Sequence, residues 1–155
     1  MRNTLAASAL MLAFAVPAQG ASNQIWFFLK SGDREQLIYG VPESHAYTIA
    51  FVCVPKTKRI EIVSSVLPRK PKKGQAVKMT LQNGKVSAAY GGTTAYNSEE
   101  GFQFEGSTAA DPKFADVLKG GATLTIGVPG QQTRVPLRGV AKALGQFEKV
   151  CFGGR

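Results

Sequence analysis

One histidine, His45, and two cysteines, Cys53 and Cys151, are all that 155 residues offer of the side chains that most often hold transition metals or move protons near neutral pH. Two cysteines and one histidine at unrelated spacings make no zinc site, which needs three or four converging ligands. The residues therefore imply no metal and no cofactor. Glu43, Ser44 and His45 are adjacent in sequence, but neighbours on an extended chain point apart, and a catalytic triad needs side chains arriving from separate places. No G-x-x-x-x-G-K-[ST] phosphate cradle occurs. We expect no catalytic residues and no enzyme. A carboxylate pair assembled by the fold is the one enzymatic route left open.

Long apolar runs are also missing, with one exception. Residues 5–16 are apolar but for Ser8, behind the single charge of Arg2, and Pro17 and the small residues Ala18 and Gly20 follow. This is the pattern of a secretory signal peptide cleaved after Gly20 or Ala21. The run is too short for a mature membrane span, and no later stretch approaches one. The alternative is a buried N-terminal helix. The expected organisation is a signal peptide over residues 1–21 and a single β-rich domain over residues 22–155, periplasmic or secreted. In an oxidising compartment an even pair of cysteines reads as a disulfide, so Cys53 and Cys151 are expected to be bonded. The loop they close is worth about 4 kcal/mol in the chain-entropy picture.

Acidic residues are scarce: ten against nineteen lysines and arginines, a formal net charge of +9. The surplus is local. Nine cations and the single acid Glu61 lie between Lys56 and Lys85, and cations and acids balance elsewhere in the mature chain. The densest stretch is PRKPKKG, residues 68–74, where two prolines hold the backbone extended or turned. Lys56, Lys58, Arg59, Arg69, Lys70, Lys72 and Lys73 are the candidate anion-binding residues. The competing reading is a solvated loop whose lysines oppose aggregation. The expected partner is a protein or an anionic envelope component, with no specific nucleic acid and no transmembrane span.

The rest is a series of short strands and turns. Residues 24–30, 36–41, 47–54 and 59–66 carry alternating or fully apolar patterns between turn residues. Ile49, Phe51 and Cys53 share one face of what reads as a central strand. Asn83 and Gly84 mark a hairpin between residues 75–81 and 85–91. Residues 91–101 read as a polar, flexible loop, and its flanking Tyr90 and Tyr96 are the candidate ligand-contact aromatics. Phe102 and Phe104 alternate on the following strand. Asp111 and Pro112 open a short helix, and residues 122–128 and 133–137 form another hairpin. Val140, Ala143, Leu144, Phe147 and Cys151 then fall at helical spacing. Their apolar face would dock on the sheet and place Cys151 against Cys53. The expected fold is mostly β, an antiparallel sandwich or partly open barrel of seven to nine strands with a C-terminal α-helix.

The tail over residues 118–147 resembles the end of the invasion-associated locus B family of exported bacterial proteins. The resemblance rests on an L-x-x-G start and a V-P-L-x-G-x-x-x-A-L close, here Val135, Pro136, Leu137, Gly139, Ala143 and Leu144, and on the earlier order of Trp26 and Cys53. It implies a small periplasmic β-sandwich linked to host-cell entry or envelope function, with no catalytic residues to carry over. The functional expectation is an exported, non-enzymatic binding or accessory protein of the envelope. The alternative is an inhibitor or immunity protein against another secreted enzyme, for which a basic enzyme such as lysozyme would be repelled.

Overall fold

The computed structural model describes residues 23–153, so the expected signal peptide lies outside the described residues. Nine strands follow in order: β1 (Ile25–Ser31), β2 (Arg34–Gly40), β3 (Tyr47–Val54), β4 (Arg59–Ser64), β5 (Ala76–Asn83), β6 (Val86–Asn97), β7 (Gly101–Ala109), β8 (Thr123–Val128) and β9 (Gln131–Pro136). A helix, α1 (Val140–Cys151), ends the fold. The strands form one antiparallel sheet in the order β1-β2-β3-β4-β7-β6-β5-β8-β9. The mostly β architecture with a C-terminal helix is as expected. Of the two forms anticipated, the structure takes the open, curled one, with no second stacked sheet among the described residues.

The alternation read in the sequence sets which face is core. In β3 and β4, Ile49, Phe51, Cys53, Ile60 and Ile62 are fully buried on one side. The register carries that face outward to Leu37 and Tyr39 of β2, and through β7 to Met79 and Leu81 of β5. Helix α1 lies across β1, β2 and β3 and buries Val140, Ala143, Leu144 and Phe147 against them. Cys151, on the same helical stripe, is bonded to Cys53 with their Cα atoms 5.7 Å apart. The helix-to-central-strand staple is as expected.

Two local expectations are corrected. Residues 91–97 are the second half of a twelve-residue strand, and the turn is reduced to residues 98–100. Pairing with β7 along Gly92–Asn97 overrides the turn-forming composition. The short helix expected after Asp111 is present as Pro112–Leu118, of 3-10 form, and Asp111 caps it by accepting from the Lys113 amide. In the β5–β6 hairpin, Asn83 pairs with Val86, so Gly84 and Lys85 make the turn, with Gly84 at φ 58°. The Asn83 amide instead turns inward and donates to the Lys119 carbonyl at 2.8 Å.

The two outer strands of the sheet, β1 and β9, come together. Trp26 Nε1 donates to the Pro136 carbonyl at 2.7 Å. A buried indole thus bridges the open ends of the curl, where a barrel would have a ladder of backbone bonds.

Candidate functional site

The seven candidate cations do not meet. Lys56, Lys58 and Arg59 sit at the start of β4, and Arg69 to Lys73 follow its end. A six-residue strand separates the groups by about 20 Å. The first group is tied locally: Lys56 pairs with Asp33 at 3.6 Å, and Arg59 donates to the Ser107 hydroxyl. Arg69, Lys70, Lys72 and Lys73 are exposed, and none forms an ion pair among the described residues.

Their loop is held by its backbone. Thr94, fully buried on β6, gives its hydroxyl to the Lys72 carbonyl and accepts from the Gln75 amide. The Gly74 amide donates to the Thr94 carbonyl at 2.8 Å, and the Gln75 carbonyl takes the Thr94 amide at 2.9 Å. Gln75 Oε1 accepts from the Lys72 amide at 3.1 Å. The stretch is therefore an anchored display of four free cations. Beside it, Arg69 lines a shallow concavity of about 400 Å3 with Ser65, Gln131 and Thr133.

The candidate aromatics divide. Tyr90 faces inward, half-buried against Phe114 with ring centroids 6.1 Å apart, and burial raises its phenol pKa. It belongs to the packing of the core, which corrects its reading as a ligand contact. Tyr96 is 55% exposed near the β6–β7 turn, edge-on to Phe102 at 5.1 Å. His45 is exposed in the turn before β3, with Nδ1 3.6 Å from Glu100.

Sequence reasoning missed a trough of about 820 Å3 on the face of the sheet opposite the core. Its floor includes Ile38, Ala50 and Val52, all buried although they point away from the core. At one end the Arg34 guanidinium donates to Glu61. At the other, the Tyr47 hydroxyl lies 2.8 Å from Gln103 Oε1 and 3.1 Å from Glu100, while Gln103 Nε2 donates to Glu105 at 2.8 Å. A β-bulge makes this second cluster. Tyr39 pairs with Ile49 but Gly40 pairs with Tyr47, so Tyr47 and Thr48 together oppose Gly40, and the bulge re-aims Tyr47 into the trough. The Thr48 carbonyl points to the other side, toward β4, and accepts from Ser64 Oγ at 2.7 Å and the Ser65 amide at 3.1 Å. Burial, and then the neighbouring Glu100 carboxylate, push the Tyr47 pKa well above the usual phenol value. Tyr47 is therefore a hydrogen-bond donor throughout the physiological range.

Glu61, Glu100 and Glu105 give the trough three carboxylates against the one guanidinium of Arg34, a formal −2 on a chain of +9. Among the described residues no helix is long and apolar enough to cross a membrane. Comparison with protein families, with curated proteins and with solved structures finds no match.

Proposed function

We propose that this is an exported, non-enzymatic binding protein of the bacterial envelope that holds an anionic component through residues 68–74. One observation carries the reading: four exposed, unpaired cations stand on a loop whose backbone is fixed to buried Thr94. A fixed loop loses less entropy on binding than a free one. Free cations need give up no internal partner to meet a phosphate, carboxylate or sulfate. The concavity beside Arg69 adds hydroxyl and amide donors from Ser65, Thr133 and Gln131. Export is supported by the leader-like residues 1–21 and by the Cys53–Cys151 bond, which persists in an oxidising compartment. The tail's resemblance to the invasion-associated locus B family agrees with an envelope role.

The test replaces Arg69, Lys70, Lys72 and Lys73 together by Gln. Sedimentation with phosphatidylglycerol vesicles and with an acidic polysaccharide would be followed at low and high salt. Binding by the native protein is expected to fall with salt, since the contacts are screened over about 8–10 Å. The variant should lose most of it, while its urea midpoint stays within about 0.5 kcal/mol of native stability. Unchanged sedimentation of the variant would refute the proposal, and the two arms tell a lipid phosphate from a sugar carboxylate.

A second reading, an inhibitor of another secreted enzyme, is favoured by one feature. Tyr96 stands exposed near the tip of the β6–β7 hairpin, braced by Phe102, as an anchor for a protein partner. In that case Tyr96→Ala, and not the loop variant, would abolish capture of the partner.

A further inference from the structure

The trough on the outer face is a second binding site, and nothing in the basic loop accounts for it. We propose that it takes a short chain of amino sugars, a ligand that combines ring hydroxyls with ammonium groups.

Side chains on the solvent side of a single sheet are normally polar, yet Ile38, Ala50 and Val52 are buried there and Val63 is half-buried. Their small accessible remainder, with half-buried Val63, leaves a narrow apolar strip for the C–H face of a sugar ring. Polar groups bound the strip at both ends and are already ordered by one another: Arg34 with Glu61 at one end, and Tyr47, Gln103 and Glu105 as a connected chain at the other. Carboxylate and amide side chains hold two acceptor or donor positions in one plane, and vicinal hydroxyls present the matching pair. Groups fixed before binding lose little further entropy when the ligand arrives.

The charge then selects among sugars. Each trough carboxylate has one partner or two, and an ionised carboxylate has about four acceptor positions, so unfilled acceptors outnumber donors. The concave wall focuses the negative potential. Uronic and sulfated sugars are repelled, neutral sugars satisfy only the hydroxyl positions, and amino sugars satisfy both. The size is suitable: about 820 Å3 is within the range of small-molecule sites. The acidic trough and the basic loop would therefore take ligands of opposite charge.

The experiment is calorimetric titration of the oxidised protein with four probes: tetraglucosamine, cellotetraose, tetragalacturonate and spermidine. Side-chain amide shifts of Gln103 and of Gln36, which also lines the trough, would be followed by NMR. Tetraglucosamine is expected to bind with a dissociation constant below about 1 mM and to move both amides. Cellotetraose should bind more weakly, and tetragalacturonate should leave both amides unmoved, any heat it gives belonging to the basic loop and vanishing in the fourfold Gln variant. Glu105→Gln and Gln103→Ala should each weaken tetraglucosamine by about tenfold, as loss of a charge-assisted hydrogen bond does, with urea midpoints near native as the control for folding. The fourfold Gln variant of residues 69–73 should bind it unchanged, which separates this site from the loop. Tetragalacturonate that moves the Gln36 and Gln103 amides as far as tetraglucosamine does would overturn the proposal. So would equal binding of spermidine, which would mark a mere acidic patch, or absence of heat and amide shifts with tetraglucosamine.

Discussion

Gly91 and Gly92 are neighbours on β6, and only one of them is required to be glycine. Gly92 faces the core directly opposite Gly106 of β7, and the Phe104 ring lies across both. A Cβ on Gly92 would stand 2.3 Å from the Glu105 carbonyl oxygen and 2.6 Å from Phe104 Cζ. One of these obstacles is backbone and the other a fully buried ring, so neither yields cheaply. A Cβ on Gly91 meets nothing within 4 Å. Gly92→Ala is expected to cost about 3 kcal/mol, at the upper end for overpacking, and Gly91→Ala to stay within about 0.5 kcal/mol of native. Urea unfolding of the pair decides it. Equal costs would mean that β6 shifts to relieve the clash and that Phe104 is not fixed by the glycines.

At the scale of elements, residues with one strong pattern were legible and those with a compromise were not. The limits of β3 were readable because apolar residues on both faces admit only a central strand, and α1 because five apolar residues repeat at helical spacing. The second half of β6 was hidden. Its Gly-Gly-Thr-Thr composition suits a turn, and only partnership with β7 makes it a strand. Glu35 was hidden too. It reads as part of a polar turn, yet lies 5% exposed on the core face opposite Cys53, with Lys30 3.6 Å away and Oε2 without a partner. The basic loop was legible as a charge run, but its anchoring by Thr94 was not, because nothing local marks Thr94 as buried. The trough was illegible as a whole. It draws on β2, β3, β4 and β7 and depends on a bulge that only the pairing register reveals. Where pattern was clear, a firm prediction follows. Reducing the Cys53–Cys151 bond should lower stability by about 4–5 kcal/mol, the chain-entropy value for a loop of this length. Urea unfolding with and without reductant measures it. A loss under about 1 kcal/mol would show that Phe147 and Leu144 hold the helix without help.

Across the whole molecule, the sheet is a split ring whose ends are held by one indole. Trp26→Phe keeps an aromatic ring but removes the bond to the Pro136 carbonyl. The expected cost is about 1–3 kcal/mol, a lost hydrogen bond plus the void of the smaller ring. The distribution of the damage is the sharper test. Amide hydrogen exchange should quicken in β1 and β9 and remain native in the central β4–β7 pair, because local opening needs only the seam to part. Uniform acceleration over the sheet would instead make the seam part of one cooperative unit with the centre.

The disulfide also imposes an order in time. Cys53 and Cys151 are 98 residues apart, so at synthesis rates of about 5–20 residues per second the first thiol waits roughly 5–20 s for its partner to be made. With two cysteines in the chain, no wrong internal bond can form in that interval. The hazard is another molecule's thiol. By then β2, β3 and β4 have all been synthesised, but their pairing leaves the face that carries Cys53 open until the C-terminal helix covers it and brings the partner to it. Oxidation of this pair thus reports that the last helix has docked, and its half-time is a clock on completion of the fold.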